Sequence, residues 1–146
     1  MAPSDTKYQT QHILLKQAGY DLEVEDYHFT ILLGNPEKPM LQLNKGYSGD
    51  GGIPGYLMLS LLPNDYTLPH VQAALAHECN HNVRFRFIKW NQQTTLADWV
   101  VSEGLAESFA AELYGKELIG SWVTSTSSEQ LEEIKPIISS QLQLTG

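Results

Sequence analysis

The segment His77-Glu78-Cys79-Asn80-His81 holds the residue types best suited to chemistry in this chain. In this HExxH pattern the two histidines fall on one face of a helix, one turn apart, and two neutral imidazoles can share one zinc ion. Glu78, too close to His77 to be an obvious ligand, is placed to take a proton from a water bound to that zinc. A catalytic zinc needs a third protein ligand and an open fourth position. Glu103, twenty-two residues after His81, completes a two-histidine, one-glutamate set. Glu107, one helical turn further on, can stand behind the metal and accept the free ring N–H of a ligand histidine, His77 in particular.

Five residues alone are only suggestive, so the elements that carry them decide. Leu68-Pro69 suits a helix start, and Val71, Ala74, Leu75 and Glu78 follow at three-four spacing. For a second helix Thr95 is the N-cap, with Asp98 three residues on. Leu96, Trp99, Val100, Glu103, Glu107, Ala110 and Tyr114 lie along one side, and Gly115 is the stop. Two carboxylates on an apolar stripe are costly to bury unpaired, and a cation opposite them removes the objection.

The residues Ala73 to His81 and Thr95 to Glu107 resemble the bacterial YjaZ-type family of predicted zinc-dependent proteases, strongly over the middle third of the chain and weakly over the strand region before it. The resemblance implies a gluzincin-like fold with His77, His81 and Glu103 on zinc and Glu78 as general base. Members of that family carry a C-terminal Gly-Tyr element that has no counterpart in this chain. The oxyanion donor must be sought elsewhere: Tyr47, Tyr56 and Tyr66 precede the metal helix, whereas Tyr114 lies roughly 16 Å beyond Glu103 along its helix and reads as packing.

At 146 residues the chain suits a single domain over residues 1–146. A net charge of −8 argues against nucleic acid and anionic membranes as partners and permits a neutral or basic peptide. No transmembrane window and no signal-peptide pattern is evident, so the expected location is cytoplasmic. Cys79, the one cysteine, reads as a packing residue on the opposite side of the helix from His77.

The remaining segments read as framework. Asp5 to Gly19 is a helix packing through Tyr8, Ile13, Leu14 and Leu15, and Tyr27 to Leu33 is the best strand, with His28 partly exposed. Met40 to Leu43 is a weaker strand. Gly46 to Gly52 is a flexible loop without the Lys-Ser/Thr signature of a phosphate cradle. Tyr56 to Leu61 alternates, with Leu57, Leu59 and Leu61 on one face; its bounding prolines suit a sheet edge that pairs with substrate, and an interior strand with no ligand role fits it equally well. His70 is a helix-start residue two turns from His77. Arg84 and Arg86 belong to a solvated connection after His81, with a cleft wall that grips a carboxylate as the functional alternative. A capping box at Ser127 to Gln130 precedes a packing helix through Leu131, Ile134, Ile137, Ile138 and Leu142, which Pro136 kinks or interrupts.

The expected architecture is α+β, zincin-like: a small sheet with an edge strand beside an HExxH helix, and a second helix bearing the glutamates. The expected function is zinc-dependent hydrolysis of peptide bonds, with peptide or protein as substrate and Glu78 activating the zinc-bound water. The alternative is a catalytically inactive, zinc-stabilised binding module.

Overall fold

The computed structural model describes residues 27–146; the helix expected over Asp5 to Gly19 lies outside them. The β-branched and aromatic run predicted as the best strand forms β1, His28–Leu33, which pairs in parallel with β3, Tyr56–Leu61. Between them the chain makes a short helix α1, Pro39–Leu43, and strand β2, Tyr47–Ile53, antiparallel to β3. The sheet order is β1-β3-β2.

Two expectations are corrected here, and one open alternative is settled. Residues 40–43 are helical: Pro39 sits in the first turn, where its fixed φ and missing N–H suit a helix. The glycine-rich stretch is the strand β2 and not a loop. Of the two positions open to it, Tyr56–Leu61 takes the interior one, between β1 and β2, which form the two edges. Pro54 and Pro63 flank β3 without lying in its ladder, so they bound its length and leave its position in the sheet open.

The alternation of β3 holds as read, with Leu57, Leu59 and Leu61 all buried. They face α2, Thr67–Arg84, which carries the HExxH residues and lies across β2 and β3. Tyr47, Leu59, Leu61 and Ala74 form one core. On the far side of α2, Ala73 and Ala76 meet Ala110 of α3, Leu96–Tyr114, in a second core completed by Phe109, Leu113 and Tyr114. Small side chains let two helices approach closely. Here they bring the histidines of α2 within reach of the glutamates of α3.

Helix α3 begins and ends as expected: Thr95 and Asp98 make a reciprocal capping box, and Gly115 closes the helix at φ 98°. A 3₁₀ turn, Lys116–Leu118, and a short helix α4, Ser121–Thr124, lead to α5, Ser128–Gln141, whose capping box at Ser127 and Gln130 also holds. Helix α5 runs through Pro136, and none of its residues is buried. Leu131, Ile134, Ile137 and Ile138, expected to pack, are exposed, and no described element makes extensive contact with this helix. The chain after α5 returns to the start of α3, where the N–H groups of Leu96 and Ala97 donate to the carbonyls of Leu144 and Leu142 at 2.8 and 3.0 Å. Those N–H groups have no partner within their own helix, so the tail satisfies them. Among the described residues no helix is long and apolar enough to cross a membrane.

Candidate metal centre

Helix α2 is fixed at both ends by asparagines. At its start the Asn64 side chain accepts from the N–H groups of Tyr66 and Thr67, each at 2.9 Å. Near its end Asn82, fully buried, accepts from Gly55 N–H at 2.9 Å and donates to the carbonyls of Gly51, Ile53 and Tyr56. One side chain thus ties the β2–β3 hairpin to the turn that holds His81. The glycines of β2 complete the fit. A Cβ at Gly49 would lie 2.1 Å from Glu78 Oε1, and one at Gly51 would lie 2.2 Å from the Glu78 carbonyl oxygen. Only a strand without side chains at these positions can press against α2 there.

The predicted ligands converge. Nε2 of His77 and Nε2 of His81 are 2.9 Å apart, and the Glu103 carboxylate lies 3.2 Å from the first and 3.4 Å from the second. A tetrahedral zinc ion with bonds of about 2.0–2.1 Å spaces its donors about 3.3 Å apart, so a triangle of this size is what such an ion requires. The other ring nitrogens are held from behind. Glu107 Oε1 lies 3.1 Å from His77 Nδ1, and Ser102 Oγ shares a hydrogen bond with His81 Nδ1 at 3.1 Å. With a proton on each Nδ1, both Nε2 atoms present lone pairs to the same point. The second Glu107 oxygen accepts from Gly120 N–H at 3.1 Å, which fixes the carboxylate against the loop before α4. The residues fit a zinc ion: two imidazole nitrogens, one carboxylate, and a half-exposed Glu103 that leaves one side of the triangle open.

Electrostatics agree with that assignment. Burial alone would depress His77, but hydrogen bonds to Glu103 and Glu107 outweigh it and hold the imidazolium to about 9. Hydrogen bonds from His77 and His81 hold the Glu103 carboxyl down to about 2. Without metal, a proton on His77 takes the place of the cation. Burial raises the Glu78 carboxyl, an effect that His77 and His81 partly offset. A carboxylate raised toward neutrality is suited to accept and return a proton.

The triangle opens on a cleft of about 640 Å³. Its walls include residues 47–52 of β2, His77, Glu78 and His81 of α2, Trp99, Glu103 and Glu107 of α3, and Trp122. Of the three tyrosines considered as oxyanion donors, Tyr47 lines this cleft; the Tyr56 hydroxyl is hydrogen-bonded to Thr30 Oγ1, and the Tyr66 ring packs tilted against His70 with centroids 4.2 Å apart. Tyr114 packs in the second core, as read. His70 is buried, with Nδ1 2.6 Å from the Tyr66 carbonyl oxygen, and is no ligand. Arg84 and Arg86 do not line the cleft, and Arg86 lies over the Tyr27 ring at 5.8 Å. Burial pushes the Cys79 thiol up to about 11, which leaves it unreactive. Sequence reasoning missed Ser102, Asn82 and the pair Gly49 and Gly51. Ser102 offered no signal beyond its place beside Glu103. The alternate glycines of a strand are a recognisable sign of close approach.

A family model described as "Predicted Zn-dependent protease (DUF2268)" matches residues 5–146. The chain belongs to this family. Among relatives of the DUF2268 chain, "Uncharacterized protein YjfC" of Bacillus subtilis (strain 168) is 41% identical over 126 residues, which is 86% of this chain and 42% of the relative. "Uncharacterized protein YjaZ" of the same organism is 32% identical over 78 residues, 53% of this chain and 30% of the relative. The DUF2268 chain therefore spans less than half the length of these two relatives. No solved structure matches it.

Proposed function

We propose that this chain is a zinc-dependent peptide hydrolase of the gluzincin type, with a zincin-like fold. The single observation that carries this reading is the triangle of His77 Nε2, His81 Nε2 and the Glu103 carboxylate at zinc-donor spacing, with Glu78 beside it on the cleft wall. His77, His81 and Glu103 would hold the ion. When bound, zinc supplies Lewis-acid polarisation of a scissile carbonyl and brings the pKa of water toward neutrality.

The chain's own residues do the rest. Glu78 takes the proton of the attacking water and delivers it to the leaving amine, and its burial keeps the carboxyl basic enough for both steps. Glu107 and Ser102 keep the ring nitrogens of His77 and His81 in the tautomers that leave Nε2 free. The edge of β2 over residues 48–50, which runs along the cleft beside Glu78, receives an extended peptide through main-chain hydrogen bonds. This is the role that sequence reasoning attached to an edge strand, carried by β2 in place of β3.

The test is Glu78→Gln assayed on a mixture of fluorogenic peptides, with zinc content measured in parallel. Loss of turnover with zinc retained supports the reading. Zinc bound at one per chain with no hydrolysis by the unmutated protein would favour an inert zinc module, and hydrolysis undiminished in Glu78→Gln would remove Glu78 from the mechanism.

A further inference from the structure

A row of aromatic rings begins at the metal centre and serves neither core. The His81 ring stacks on Phe85 with centroids 5.5 Å apart and planes 10° from parallel. Phe85 meets Trp90 at 4.8 Å, and Trp90 meets Trp99 edge-on at 4.7 Å. Phe85, Trp90 and Trp99 belong to neither core cluster, yet all three line the cleft. Trp99 is 47% exposed and stands one turn before Glu103 on the same stripe of α3. On the other side of the triangle Trp122 meets the His77 ring edge-on at 6.0 Å. All three tryptophans of the chain thus border this one cleft.

Trp99 is left half in water beside the metal centre and Phe85 and Trp90 are only partly buried, which is costly to maintain, because the area they expose is the area burial would stabilise. A ligand that covers them recovers that free energy. The wall is apolar, built of rings set at angles to one another, and it starts at a ligand histidine, so what it covers lies beside the reacting bond. The α3 carboxylates beside Trp99 do not offer an alternative partner, since Glu103 is engaged by His77 and His81 and Glu107 by His77, and the other cleft carboxylates, Asp50 and Glu78, belong to β2 and α2.

We propose that Trp90 and Trp99, backed by Phe85, form a specificity subsite for a large apolar or aromatic side chain on the substrate residue next to the scissile bond, on the His81 side. The inference rests on the hydrolase reading for the words "scissile bond" and on the ring geometry for the subsite itself. The substrate class is then a peptide with phenylalanine, leucine or a similar residue at that position, and small, acidic or basic residues are selected against. Trp90 and Trp99 act as binding residues with no part in proton transfer.

The experiment uses zinc-reconstituted Glu78→Gln protein, titrated with four otherwise identical blocked hexapeptides that carry Phe, Ser, Asp or Lys at one central position. Intrinsic tryptophan fluorescence is the readout, because every tryptophan of the chain borders the cleft. The expected result is at least tenfold tighter binding of the Phe peptide than of the other three. Trp99→Ala and, separately, Trp90→Ala reduce that preference to a few-fold while far-UV circular dichroism and zinc content stay unchanged. Equal binding of Phe and Ser peptides, tighter binding of the Lys peptide, no binding of any peptide, or a preference intact in both variants would overturn the subsite. The same peptides given to the unmutated holoprotein separate the two claims. Selective binding without cleavage leaves the subsite standing and removes the hydrolase, whereas cleavage without selectivity does the reverse.

Discussion

Replacing Gly49 by alanine is expected to silence the protein while leaving its metal in place. The added Cβ would lie 2.1 Å from Glu78 Oε1 and 2.4 Å from its Cδ and Cγ. Gly49 has no positive φ, so the backbone itself accepts alanine and the whole effect falls on Glu78. Restoring an ordinary contact of 3.4 Å from 2.1 Å requires Oε1 to move about 1.3 Å. Glu78 is buried between β2 and the ligand histidines, so that displacement takes the carboxylate out of its position and not merely into a new rotamer in water. A misplacement of about 1 Å costs on the order of a hundredfold in rate, equivalent to about 2.7 kcal/mol in the barrier. The assay is kcat on a fluorogenic peptide beside zinc stoichiometry for the same preparation. The expected result is a kcat lowered about a hundredfold or more with zinc still near one per chain. Gly51→Ala is the contrasting variant. Its Cβ meets the Glu78 carbonyl oxygen at 2.2 Å, so the helix backbone must withdraw. It lowers stability by about 1–3 kcal/mol and with it the melting temperature. A Gly49→Ala protein whose kcat lies within twofold of the unmutated value would refute the argument that β2 sets the position of the base.

Four further outcomes are expected. Ser102→Ala and Glu107→Gln each weaken zinc binding by about 10–100-fold, because each loosens a ligand histidine from behind; competition with a chelator checks this, and unchanged affinity in both contradicts it. Zinc must displace the proton that Glu103 and Glu107 hold on His77 up to about 9, so apparent affinity rises about tenfold per pH unit between pH 6 and 8, with proton release near one per zinc by calorimetry in two buffers. The same raised pKa stabilises the metal-free fold fully below pH 6.5 and ceases to as pH rises through about 9, so a flat apo stability across that window counts against it. Asn82→Ala leaves Gly55 N–H and three carbonyls of the β2–β3 hairpin without their partner, and it costs several degrees of melting temperature in apo and holo protein alike.

The centre itself was legible because its information is local. Four-residue spacing within α2 and within α3, a capping box at Thr95 and Asp98, and a glycine stop at Gly115 are properties of single helices, though the face that α3 buries, Ser102, Ala106, Glu107 and Ala110, is not the stripe through Trp99 and Val100 that its spacing suggested. What remained hidden depends on contacts between elements. Strand β2 has the composition of a loop, since three of its seven residues are glycines. Their reason is the approach to Glu78 from another element, which no propensity encodes. The position of β3 in the sheet depends on which strands flank it, and that is set by the partners and not by its own alternation. The apolar stripe of α5 follows helical spacing yet is exposed and has no extensive contact with a described element, so periodicity indicates its conformation without its surroundings. Ser102 and Asn82 are single polar residues within helices, where nothing in the sequence separates a clamp from a surface side chain.

The most direct test of the account is the zinc content of the purified protein after dialysis against metal-free buffer, measured beside Glu103→Ala. The account predicts about one zinc per chain, lost or much weakened in the variant, because Glu103 supplies the third side of the donor triangle. An unmutated protein that retains no metal after reconstitution with zinc, or a variant that holds zinc as tightly as the original, would contradict it.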